Sequence, residues 1–187
     1  MTKLVSPTRI YGEAGSDERP YSVDRTTRAF PVIDYSHHEI HDGSHYFIKS
    51  FFDMNTTTFD FMFVTPNTIT YSHSIWEVSA EGEMNFLLYE NASVSANGTP
   101  IPSFNNNRNS NNIALTLAYE LPTVITTGAL VWSGVVGSAK ASGGTARSDN
   151  EFIGKINTKY LFRINKIATG ANWIDYHFNW YEHTNKT

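Results

Sequence analysis

Phenylalanine recurs at every second position of Thr58-Phe59-Asp60-Phe61-Met62-Phe63-Val64. That spacing matches the alternation of side chains across a pleated strand and no helical period, so Phe59, Phe61 and Phe63 share one face and Asp60 opens the other. The period returns late in the chain, between Trp173 and Tyr181, where Ile174, Tyr176, Phe178 and Trp180 share a face. Ahead of the first run, the polar cluster Tyr35-Ser36-His37-His38-Glu39-Ile40-His41 and an Asp42-Gly43 turn lead into His45-Tyr46-Phe47-Ile48-Lys49-Ser50-Phe51-Phe52-Asp53. With only Met54-Asn55-Thr56-Thr57 between them, the two aromatic runs predict adjacent antiparallel strands.

Similar segments follow. Ile69 to Ala80 and Met84 to Glu90 read as strands, the second apolar on both faces and so interior to a sheet. Asn97-Gly98 is a tight-turn signal, and Ile113 to Tyr119 alternates until Pro122 ends it. The run from Phe104 to Asn112 is a loop by composition, and one that can be ordered instead of floppy, because Asn tolerates left-handed backbone and bonds to its own main chain. Gly137 to Asn150 is the longest loop of the body. Turn signals about 8 to 12 residues apart and no helical period predict an all-β, antiparallel, jelly-roll-like β-sandwich over residues 31–187. Residues 1–30 differ in kind: Arg9, Arg19, Arg25 and Arg28 alternate with acidic residues, glycine and proline, and no period is sustained. They read as an extended N-terminal arm, with Arg9, Tyr11, Tyr21 and Arg25 suited to docking on a neighbouring subunit.

A chain of 187 residues, 40% hydrophobic and 14% aromatic, has enough apolar surface to stand without a disulfide or a metal, and it contains no cysteine. A formal charge of -4 gives no general attraction to nucleic acid or an anionic membrane, and neither is expected as a partner. No apolar run approaches the roughly 20 residues of a membrane span. The opening Met1-Thr2-Lys3-Leu4-Val5-Ser6 lacks the apolar centre of a secretory signal, so the expectation is a soluble protein made in a reducing cytoplasm.

Few residues suggest chemistry. His37, His38, Glu39, His41 and His45 are ligand types, and metal sites occur within jelly rolls of the cupin kind. On a strand, His37, His41 and His45 would share a face, but Asp42-Gly43 interrupts it. The expectation is therefore no metal and no cofactor, with the imidazoles as hydrogen-bonding groups at a strand edge or subunit contact. No nucleophile elbow or phosphate-binding glycine loop is present, and Glu77, Glu81, Glu83 and Glu90 read as surface carboxylates. No catalytic residue is expected. Trp76, Trp132, Trp173 and Trp180 read mostly as core.

From Asp34 to Glu182 the sequence resembles a family of small structural proteins of tailed-phage virions, the capsid decoration or cement proteins. The residues that carry this are Tyr35-Ser36-His37-His38-Glu39-Ile40-His41-Asp42-Gly43 with Tyr46, Leu88-Tyr89-Glu90, Gly98-Thr99, Asn105-Asn106-Asn107-Arg108, Asn157-Thr158-Lys159-Tyr160 and Trp180-Tyr181-Glu182. The resemblance implies a β-sandwich, often a homotrimer, bound to the outside of a capsid and bridging major capsid protein subunits. It implies no catalytic residues, and it makes Asn105, Asn107 and Arg108 candidate loop contacts. Two other readings stay open: a tail- or fibre-associated glycan-binding module, which requires exposed tryptophans on one face, and a cupin-like enzyme, which requires converging histidines.

Overall fold

The computed structural model describes residues 35–137, 143–145, 151–167, 169–170 and 172–184. The expected arm, its docking residues Arg9, Tyr11, Tyr21 and Arg25, and the boundary at residue 30 lie outside the described residues. Among the described residues one helix, α1 (Tyr35–Asp42), precedes the strands β1 (His45–Asp53), β2 (Thr58–Val64), β3 (Thr70–Ala80), β4 (Met84–Glu90), β5 (Ser93–Ala96), β6 (Thr99–Ile101) and β7 (Phe104–Asn105). Then come β8 (Leu117–Glu120), β9 (Thr123–Thr126), β10 (Ala129–Val136), β11 (Gly143–Thr145), β12 (Phe152–Ile153), β13 (Lys159–Lys166) and β14 (Trp173–Thr184).

The first sheet runs β11-β3-β14-β1-β7, with β12 also on β3, and the second runs β10-β4-β13-β2-β8-β6. Within them, β1, β14, β3 and β11 face β2, β13, β4 and β10, and the chain passes between the two sets in the order of a double Greek key. That is a jelly roll, the arrangement expected from the sequence. One detail differs. β1 and β2 are not paired: β1 lies against β14 and β2 against β13, because the turn at 54–57 carries the chain from one sheet to the other.

The alternation does what its period requires. Phe59, Phe61 and Phe63 from the second sheet and Ile174, Tyr176, Phe178 and Trp180 from the first are all buried between the sheets. Phe61 stacks on Phe162 at 4.8 Å and on Tyr176 at 5.1 Å, so aromatic rings fill the space where a jelly roll can otherwise hold a ligand. Asp60 points to the other face, where Arg163 grips it with two hydrogen bonds of 2.8 and 2.7 Å. Trp76 and Trp180 are core, Trp132 is partly buried against it, and Trp173 is exposed.

An internal repeat underlies the second sheet. Leu87-Leu88-Tyr89-Glu90 followed by Val94 and Gly98 recurs thirty positions later as Leu117-Ala118-Tyr119-Glu120 followed by Val124 and Gly128. Each copy runs along a strand, breaks at a residue with positive φ (Asn91, 62°; Leu121, 53°), crosses as a short strand, and leaves through a glycine of positive φ. The copies interlock about a pseudo-two-fold axis. β5 pairs with β9 so that Ser93 meets Thr126, Ala96 meets Thr123 and Val94 meets Val124 on the axis. Likewise β6 lies on β8 as β10 lies on β4, with Thr99 opposite Glu120 and Ala129 opposite Glu90. Beneath this ribbon Met62 and Leu161 form a second small core with Tyr89, Tyr119, Val94 and Val124.

Candidate functional site

The polar cluster read as a strand edge is a helix. Its end is fixed by Asp42-Gly43: Gly43 has φ of 70°, its N–H donates to the Ile40 carbonyl at 3.1 Å, and the Ser44 N–H donates to the Glu39 carbonyl at 3.0 Å. These two bonds with glycine just past the end form a Schellman cap, so the dipeptide that resembles a hairpin turn is a helix stop. Helical geometry separates the side chains. Glu39 is buried and accepts a hydrogen bond from the Ser44 hydroxyl, while His37 and His41 lie together on an exposed side.

The strand that follows carries His45 on the face of the first sheet opposite the core. There His45, Tyr181 and His73 stand directly across from one another on β1, β14 and β3. Their rings stack, Tyr181 on His73 at 4.6 Å and on His45 at 6.2 Å, and His183 lies 4.4 Å from His73. All three residues of the row are buried although they lie on an outer face. Glu151, just ahead of β12, accepts from His73 Nδ1 at 2.5 Å and from the Tyr181 hydroxyl. Asn106 bonds to His45 Nδ1 at 2.6 Å. Burial lowers the pKa of His45 and of His73 below the ordinary histidine value; the Glu39 charge opposes this for both, and Glu151 opposes it for His73. With the proton of neutral His73 on Nδ1, Nε2 keeps a lone pair, and that atom is buried with no hydrogen-bond partner among the described residues.

The asparagine loop packs against the end of α1. Asn105 Nδ2 donates to the Gly43 carbonyl at 2.7 Å and its Oδ1 accepts from the Asn107 N–H at 2.8 Å. Asn107 Nδ2 donates to the His41 carbonyl at 3.2 Å, and Asn112 Nδ2 to the Gly43 carbonyl at 3.1 Å. Arg108 sits over the Phe104 ring at 5.5 Å. The candidate contacts Asn105, Asn107 and Arg108 are therefore brought together; Asn107 satisfies a carbonyl that the last turn of the helix leaves open, and Asn105 the Gly43 carbonyl just past it. The segment 113–116 expected to begin a strand is coil, held by Glu182: its carboxylate accepts the N–H groups of Leu115 and Thr116 at 2.8 and 2.7 Å and the Trp180 indole at 3.0 Å. Beside it, between the sheets, a cavity of about 10 Å³ has room for one water.

The seven histidines all lie within the described residues, on α1 or on the outer face of the first sheet, so none points between the sheets as a cupin-type centre requires. His38, Glu39 and Asp42 bring ligand atoms within 4.8 Å of one another. Of the four glutamates considered, Glu90 bonds to Lys155 at 2.6 Å and to Tyr160 at 3.0 Å, which holds its carboxyl below the usual range, while Glu77 faces His177 on the other sheet. Burial pushes the Tyr160 phenol up to about 12. Sequence reading gave no site role to His73, Glu151, Tyr181 or Glu182, although Tyr181 and Glu182 stand among the residues that carry the family resemblance. Alternation assigns His73 and Tyr181 to the outer face, but the register that aligns them is not written in any one strand.

No helix among the described residues is long and apolar enough to cross a membrane. No protein-family model, curated protein or solved structure matches the chain.

Proposed function

We propose that the chain is a virion structural protein of the capsid decoration type, which binds the outer surface of an assembled shell and bridges neighbouring major capsid protein subunits. The observation that carries the reading is the edge strand β10. Ala129-Leu130-Val131-Trp132-Ser133-Gly134-Val135-Val136 contains no charge and no proline, and it ends the second sheet among the described residues. Leu130, Val131 and Val135 are 53%, 48% and 57% exposed. Soluble proteins usually blunt such an edge with lysine, proline or a bulge that twists it away; here the one irregularity, between Leu130 and Trp132, leaves the apolar side chains outward. An apolar edge of this kind suits a partner surface. The order built into the asparagine loop also fits a protein whose work is to present a fixed surface, and among the described residues no nucleophile is bonded to His73 Nε2 to turn the His73–Glu151 pair to hydrolysis. The jelly roll is compatible with a capsid role but does not argue for one by itself.

One observation favours the glycan-binding alternative. Phe51 and Trp173 are 63% and 42% exposed and stack at 4.7 Å with an interplanar angle of 11°, close to the Lys49–Asp175 ion pair. An aromatic platform beside polar groups suits a sugar ring. Against it, the other three tryptophans are wholly or partly buried. Cryo-electron microscopy of the intact particle distinguishes the two. Density for this fold on the outside of the head, in contact with capsid subunits, is the expected result; density confined to the tail or its fibres would overturn the proposal.

A further inference from the structure

The helix creates a feature that a strand does not allow. His37 and His41, four residues apart on α1, are both exposed, and their Nε2 atoms lie 3.1 Å apart with the rings edge to face at 4.7 Å. The pair is joined by an N–H···N hydrogen bond. The same separation is also a chelate bite: with metal–nitrogen bonds of about 2.05 Å it closes an N–metal–N angle of about 100°, between the right angle of octahedral or square-planar sites and the tetrahedral angle. The expectation of no metal rests on the spacing of these histidines along a strand, and that premise does not hold.

We propose that His37 and His41 form a two-imidazole chelating site for a divalent transition metal of the zinc, nickel or copper class, with the remaining coordination positions open to water or to a group from another molecule. Imidazole nitrogen suits those metals, and hard cations such as magnesium and calcium prefer oxygen. The site is held in advance. Asn107 fixes the His41 carbonyl and the glycine cap fixes the end of the helix, so the backbone carrying both imidazoles has little freedom to lose on binding. Glu39 is turned away and bonded to Ser44, so it is not placed as the general base that the His-Glu-x-x-His metalloproteases carry beside their metal. The neighbouring trio His38, Glu39 and Asp42 is the competing location: His38 Nδ1 lies 3.2 Å from Asp42 Oδ2.

The test is titration of the untagged full-length protein with zinc chloride by isothermal calorimetry, repeated on His37→Ala, His41→Ala, His38→Ala and the His37→Ala/His41→Ala double variant, with circular dichroism confirming that each is folded. The expected result is one equivalent bound by the native chain, at least tenfold weaker binding in either single variant at 37 or 41, and unchanged affinity in His38→Ala. Zinc should also raise the melting temperature of the native chain and not that of the double variant. Binding no stronger in the native chain than in the double variant, or lost in His38→Ala and kept in His37→Ala, would overturn the assignment.

Discussion

His73 and His45 are buried as neutral imidazoles, and that makes the stability of this corner depend on pH. Their folded pKa values lie below the unfolded value of about 6.5, so above that pH the stabilisation is fully present. As pH falls below it, the unfolded chain takes up protons that the folded chain resists, and stability is lost until the folded values are passed. The expected outcome is a melting temperature that drops between pH 7.5 and 5.5, with a smaller drop in the His45→Asn/His73→Asn variant; a melting temperature that stays level or rises over that range would contradict it. Glu90, held down by Lys155, acts in the same direction but only below 4.5, which separates the two contributions. A second prediction concerns the core. Phe61 is fully buried and its ring is 4.8 Å from that of Phe162 and 4.8 Å from that of Phe178. Phe61→Ala should cost about 3–5 kcal/mol in urea denaturation, against less than about 0.5 kcal/mol for the exposed Val135→Ala.

Among the elements, the strands were largely legible because their signals are local: β2 and β14 fall where period two places them, β3 and β4 lie within the apolar runs read as strands, and the faces of Phe59 to Phe63 and Ile174 to Trp180 follow from spacing alone. What sequence did not reveal depends on partners distant in the chain. The crossing from β1 to β2, the coil at 113–116 held by Glu182, and the row His45, Tyr181 and His73 are all set by non-local register. The helix was missed for another reason. An eight-residue helix has too few turns to show a period, and Asp42-Gly43 serves equally as a hairpin turn or a helix cap. Asn97-Gly98 likewise turns the chain, but it joins β5 to β6, which have different partners, and makes no hairpin. The repeat at thirty positions is written in the residues but was not among the expectations drawn from them, and its physical content lies in the two glycines. A Cβ on Gly98 would fall 2.1 Å from the Glu120 carbonyl oxygen, and one on Gly128 would fall 2.1 Å from that of Glu90. Both have positive φ, 91° and 83°. Gly98→Ala and Gly128→Ala should therefore each destabilise by more than about 1 kcal/mol and by similar amounts. Unequal costs in matched denaturation curves would mean that the two halves are not energetically equivalent.

For the whole molecule, the proposed role is mechanical. A protein that binds an assembled shell and not its dissociated subunits stabilises the shell by mass action, about 2.7 kcal/mol per site at a hundredfold excess over its dissociation constant. Many such sites act together, and if three copies form the expected trimer, the second and third contacts form at high effective concentration once the first is made. Modest apolar contacts of the kind that β10 offers are then sufficient. A glycan-binding module built on Phe51 and Trp173 would leave the shell indifferent to its removal and act on host attachment instead. The most direct measurement is thermal release of DNA from particles with and without this chain, with host adsorption followed in parallel. The proposal expects release at a lower temperature without the chain, restoration when purified protein is added back, and adsorption unchanged; unchanged release together with impaired adsorption would contradict it.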